Sequence, residues 1–80
     1  MPRYFFDLYN GSGLTRDEEG QELPDQDAAR ASALNDIRSL LSSEIRAGSL
    51  DLRGRIMVRP AAGGEPAEVL FVDAVRFMLP

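Results

Sequence analysis

Arg53, Arg55 and Arg59 recur at even spacing along the stretch Ser49 to Arg59, with Met57 among them. On an extended chain alternate side chains point the same way, so these four share a side. Arg3, Phe5 and Tyr9 recur in the same manner near the start of the chain. If the two stretches are neighbouring strands, all seven form one surface. Guanidinium groups beside aromatic rings on an open sheet can contact phosphates and stack on bases, as in single-stranded nucleic-acid binders. Arginine, aromatic residues and methionine are also the types enriched where two proteins meet. With Phe71 on the outer side of the last strand, the same surface would bury against a second copy. The net charge of −4 favours the protein interface, because dedicated nucleic-acid binders are strongly basic. Self-association is therefore the leading expectation. A nucleic acid, or another protein such as a toxin, is the alternative partner.

Other chemistry has fewer carriers. The chain has neither histidine nor cysteine. That removes the commonest general base and metal ligand, all disulfides and all thiolate sites. Ser42 and Ser43 have no base nearby in sequence. Asp7 and Asp73 stand among apolar neighbours, where a carboxylate either has a raised pKa, faces solvent or pairs with arginine. The acidic run Asp17-Glu18-Glu19-Gly20 invites a calcium test. An EF-hand loop with Gly20 at its sixth place would need an acid at Thr15 and a glutamate at Gln26, and both fail. The expectation is no catalytic residue, no metal and no cofactor.

The elements that must position this surface are short. The stretch DQDAARASALNDIRSLLSSEIRAG, about residues 25–47 with Gly48 as its stop, reads as one amphipathic helix. Ala31, Leu34, Ile37, Leu41 and Ile45 fall on one stripe at about 100° per residue, widened by Ala33 and Leu40. Asp25 can cap its start, and Gly48 can take the left-handed conformation that ends it. The opening RYFFDLY is a strand whose Tyr4, Phe6 and Leu8 face the helix. Leu14-Thr15-Arg16 and Gln21-Glu22-Leu23 are expected to pair as a hairpin around a tight turn at Gly20. Ser49 to Arg59 alternates as a half-buried strand, with Gly54 marking a bend or bulge. A loop of prolines and glycines follows, then Ala67 to Leu79. Its run Val69-Leu70-Phe71-Val72 reads as a strand apolar on both faces. The expected fold is α+β: an antiparallel sheet of three to five strands with one helix on one face, in the order β-(β-β)-α-β-β.

Eighty residues make a single domain, residues 1–80, which buries only about 60–65% of its unfolded surface. A core that small often leans on oligomerisation. No stretch approaches the roughly 18 apolar residues of a membrane span, and the opening residues do not form a signal peptide. The expected setting is the cytoplasm.

The segments MPRYFFDLYNG, RDEEGQELPD, AARASAL, LDLRGRIMV and VDAVRF together resemble a family of short proteobacterial proteins, common in rhizobia and their relatives. That family is catalogued as a domain of unknown function. The resemblance covers nearly the whole chain. It implies one domain in a bacterial cytoplasm and assigns no catalytic residue. A looser similarity is to HicB-type antitoxins, which also place a short antiparallel sheet, a glycine-containing hairpin and an acidic lead-in before one helix. This chain lacks the further DNA-binding segment that many of them carry.

Overall fold

The computed structural model describes every residue from Met1 to Pro80. The strand organising the sheet is β1 (Arg3–Asn10), rich in the aromatic residues that fit a pleated surface. It pairs antiparallel with β4 (Arg55–Pro60), in register from Tyr4 opposite Pro60 to Tyr9 opposite Arg55. β5 (Ala67–Leu70) pairs with the far side of β4. On the other side of β1 lie β2 (Gly13–Thr15) and β3 (Gln21–Glu22). One helix, α1 (Gln26–Arg46), crosses one face of this five-stranded antiparallel sheet, so the fold is α+β.

The helix begins and ends as its sequence dictates. The Asp25 carboxylate accepts from the Ala28 N–H at 2.8 Å. At the other end Gly48 has φ +92°, and its N–H donates to Ile45 while that of Ser49 donates back to Glu44. This paired closure satisfies carbonyls that a helix end otherwise leaves open. The buried stripe is Ala29, Ala33, Ile37 and Leu41, flanked by half-buried Leu34 and Leu40. It packs on Tyr4, Ile56, Val58 and Val69 of the sheet. The two small alanines let the N-terminal half of the helix approach the strands closely.

Several expectations need correcting. Ala31 and Ile45 are exposed, so the stripe is rotated and shorter than the periodicity suggested. A helix of 21 residues is about 31 Å long, whereas β4, with six, spans about 20 Å. The last turn therefore overshoots the sheet and strands Ile45 in solvent. The strand expected from Ser49 begins only at Arg55. Residues 49–53 lie beyond the ends of β1 and β5 and have no ladder to join, and Gly54 sits at the ladder's end. Their polar groups find other partners: Glu44 accepts from the Asp51 N–H, and the Gly54 carbonyl accepts from that of Phe71. Gly54 is buried, and a Cβ there would lie 2.5 Å from the Phe71 ring.

The last element is also shorter than expected. β5 stops at Leu70, and Phe71–Ala74 forms a single 3-10 turn. Val69, Phe71 and Ala74 enter the core while Leu70 and Val72 face outward, so the strand is not buried on both sides. Phe71 is only 1% exposed. It belongs to the core and is not part of any outer surface.

The expected hairpin of β2 with β3 does not form. Both pair with β1, as two halves of one edge strand. Between the pairs Leu8–Thr15 and Tyr4–Gln21, residues 5–7 of β1 lie opposite residues 16–20 of the edge. The two surplus residues loop outward, a widened form of β-bulge. Gly20 turns the chain back into register with φ +72°, and a Cβ there would meet the Tyr4 carbonyl at 2.8 Å. The bulge leaves the centre of β1 without a strand partner on its edge side, and a side chain supplies one.

Candidate functional site

That side chain is Asp17. Its carboxylate accepts from the N–H of Phe6 at 3.0 Å, Gly20 at 3.1 Å and Glu19 at 3.2 Å. Burial pushes its pKa upward, but the three donors together outweigh that and hold it below the ordinary value. The Asp17 N–H donates in turn to Asp7. The Asp7 carboxylate also receives Arg59 through two nitrogens, at 2.5 and 3.2 Å, and Arg59 reaches on to the Asp17 carbonyl. Asp7 is only 4% exposed. The Arg59 guanidinium holds its carboxyl below the usual range against burial, with help from the Asp17 N–H. The acidic cluster thus closes the edge of the sheet with its strongest acceptor occupied by backbone.

The face opposite the helix is built in cross-strand rows, because paired residues on neighbouring strands point the same way. One row runs Leu14, Tyr9, Arg55, Leu70 across four strands. The next holds Asp7, Met57 and Glu68, and then come Phe5 with Arg59 and Arg3 with Glu22. The strands therefore bring together Arg3, Phe5, Tyr9, Arg55, Met57 and Arg59 as the alternation foretold. Arg53 is outside the ladder and meets the others only at the end of the face, beside Tyr9 and Arg55. It lies before β4 and chelates its neighbour Asp51 at 2.9 and 3.0 Å, which draws the Asp51 pKa down to about 2. Glu22, Glu68, Leu14 and Leu70 are members that the sequence reading missed. Strand alternation put Leu70 on one face, but only the register shows which face and which neighbours.

Each guanidinium on this face has a carboxylate. Arg3 pairs with Glu22 at 3.4 Å, Arg55 with Glu68 at 3.3 Å, and Arg59 with Asp7. Two of them also sit over rings, Arg55 over Tyr9 and Arg59 over Phe5, each with its guanidinium carbon 4.8 Å from the centroid. Such stacking attracts the cation to the ring face and covers apolar carbon with the arginine stem. The face is consequently neutral and half-covered by its own side chains. At one end Tyr9, Asn10, Gly11, Arg53 and Arg55 line a shallow depression.

A protein-family model described as Domain of unknown function (DUF6894) matches residues 3–72. No curated protein and no solved structure matches the chain. The similarity to HicB-type antitoxins is not among what these comparisons show. No helix is long and apolar enough to cross a membrane.

Proposed function

The chain belongs to the family described as Domain of unknown function (DUF6894), and on that premise we propose that it is a non-enzymatic binding module of the cytoplasm that self-associates through the open face of its sheet. The observation that carries the reading is the internal pairing of Arg3, Arg55 and Arg59 with Glu22, Glu68 and Asp7. Covering a charge is costly, and less so when it is already paired and hydrogen-bonded. A face whose cations each hold a carboxylate can be covered by protein. The same pairing cancels the positive field that would draw a phosphate backbone. Tyr9, Phe5, Met57, Leu14 and Leu70 supply apolar and aromatic area between the ion pairs, and a two-fold arrangement would set each row against its own copy.

Sedimentation or light scattering of the purified chain tests this. The expected result is a dimer at low-micromolar concentration. Leu70→Asp should shift it to monomer with an unchanged far-UV circular dichroism spectrum, because Leu70 is 37% exposed in the single chain, and the melting temperature should lose only its dependence on protein concentration. A monomer at all accessible concentrations would refute the reading. Salt-sensitive binding of single-stranded RNA, lost on Arg53→Ala and Arg55→Ala, would replace it with the nucleic-acid alternative.

A further inference from the structure

Gly11 and Ser12 join β1 to β2, with Asn10 paired to Gly13 across the turn. Neither turn residue has a positive φ, and Gly13 just after them has φ +110°. Asparagine suits the first place of such a turn because its side chain can stand in for a backbone carbonyl. Here the Asn10 Oδ1 accepts from the Ser12 N–H at 2.9 Å, which folds the side chain over the Asn10–Gly11 peptide. The Gly11 N–H has no acceptor in the protein. The turn is open on both sides. Asn10 and Gly11 line the depression with Tyr9, Arg53 and Arg55, and also a second hollow with Leu40 and Glu44. A Cβ built on Gly11 would meet only the Asp51 carboxylate, at 3.5 Å.

We propose that Asn10 is a site of spontaneous covalent modification: the Gly11 nitrogen attacks its side-chain amide, and the resulting ring opens in water to aspartate and isoaspartate. The reaction needs only water. The Gly11 N–H gives its proton to solvent as the nitrogen bonds to the Asn10 Cγ, and negative charge gathers on Oδ1. The Cγ–Nδ2 bond then breaks, and Nδ2 takes a proton from solvent and leaves as ammonia. Water adds to one of the two ring carbonyls. Opening at the side-chain carbonyl gives aspartate; opening at the backbone carbonyl leaves the chain running through the side chain.

The geometry favours each part of this sequence. The nucleophile is unhindered, because Gly11 has no side chain and its N–H gives up no hydrogen bond within the protein. The Ser12 N–H already points at the oxygen on which charge develops, as the donor of an oxyanion hole does. The peptide can also move. β2 has three residues, all exposed, and pairs only with β1 at the sheet edge. Opening the hairpin to bring nitrogen and carbon together therefore costs little. Asn35, the other asparagine, lies within α1, where the following N–H is held in the helix ladder. The product adds a negative charge at the depression beside Arg53 and Arg55, so the modification changes one end of the open face without an enzyme.

The test incubates the purified chain at neutral pH, folded and in urea, followed by mass-spectrometric peptide mapping that separates aspartate from isoaspartate. The expected result is amide-to-acid conversion at Asn10 before any at Asn35, with both products present. The folded chain should react within about fivefold of the rate in urea, because the edge turn opens readily. Gly11→Ala should slow the reaction about tenfold or more with an unchanged circular dichroism spectrum, since the added methyl meets nothing closer than 3.5 Å. A folded chain more than about fivefold slower than the chain in urea overturns the inference, because the fold then shields the site. So does a product that is aspartate alone, which direct hydrolysis gives without a ring. Gly11→Ala reacting at the parent's rate overturns it as well. The comparison with urea and the product mixture need no variant.

Discussion

Asp17→Ala is the substitution that most directly probes how the sheet edge is held. The bulge between β2 and β3 takes the edge strand away from the centre of β1, and one carboxylate replaces it. Removing that carboxylate leaves the part-buried Phe6 N–H without an acceptor, which costs about 1–3 kcal/mol. The N–H groups of Glu19 and Gly20 are nearer solvent and can turn to water, so losing their bonds adds about 1 kcal/mol in all. The expected loss is about 2–4 kcal/mol, against a total stability on the order of 4–12 kcal/mol for a domain of this size. At about 4–8 °C per kcal/mol the melting temperature should fall by roughly 8–32 °C. Asp17→Asn, which keeps one acceptor oxygen and loses the charge, should fall between.

The pH dependence sharpens the test. Asp17 and Asp7 both have folded pKa values below their ordinary ones. A carboxylate lowered on folding contributes stability above its unfolded pKa of about 3.9, and that contribution disappears as pH falls through the lower folded value. The parent and Asp17→Ala should therefore differ most at neutral pH, and the gap should narrow below about pH 4. Urea denaturation followed by circular dichroism, repeated at neutral pH and in acid, measures both. A gap under about 0.5 kcal/mol at neutral pH would place the substitution among ordinary surface changes and refute the reasoning. So would a gap that stays constant into acid.

Two further outcomes follow from packing. Gly54→Ala should destabilise by about 1–3 kcal/mol, because the new methyl would lie 2.5 Å from the buried Phe71 ring. Combining it with Phe71→Leu should give a double variant more stable than the sum of the two single losses implies, read from the same melts. Leu41→Ala should cost about 2–5 kcal/mol, since Leu41 closes the buried stripe of the helix over the sheet. An unmoved melting curve would mean that stripe does not carry the core.

The sequence by itself determined what is local. The helix was legible because its cap, its period and its glycine stop lie within one continuous run, and Asp25, Ile37, Leu41 and Gly48 behave as their types require. The sides of β1 and β4 were legible because strand alternation needs no partner, so Tyr4, Phe6 and Leu8 were assigned to the helix side and Phe5 and Tyr9 to the open side. The left-handed turn at Gly20 was legible for the same reason. What the turn connects was not. A hairpin and a bulged edge strand use the same glycine, and only the presence of β1 beside both halves decides between them. Element ends were equally hidden. Ile45 and residues 49–53 keep an apolar period past the point where the sheet stops, and the end of a sheet is set by its neighbours, while Ala31 turns outward between buried Ala29 and Ala33 because packing rotates the stripe. The open face shows this most clearly. The alternation put arginines and aromatic residues on one side, yet whether those cations are free or paired depends on register across the sheet. Asp7 and Arg59 are 52 residues apart and meet through the pairing of β1 with β4. Tertiary structure alone brings that carboxylate to that guanidinium, and with it the neutrality of the face.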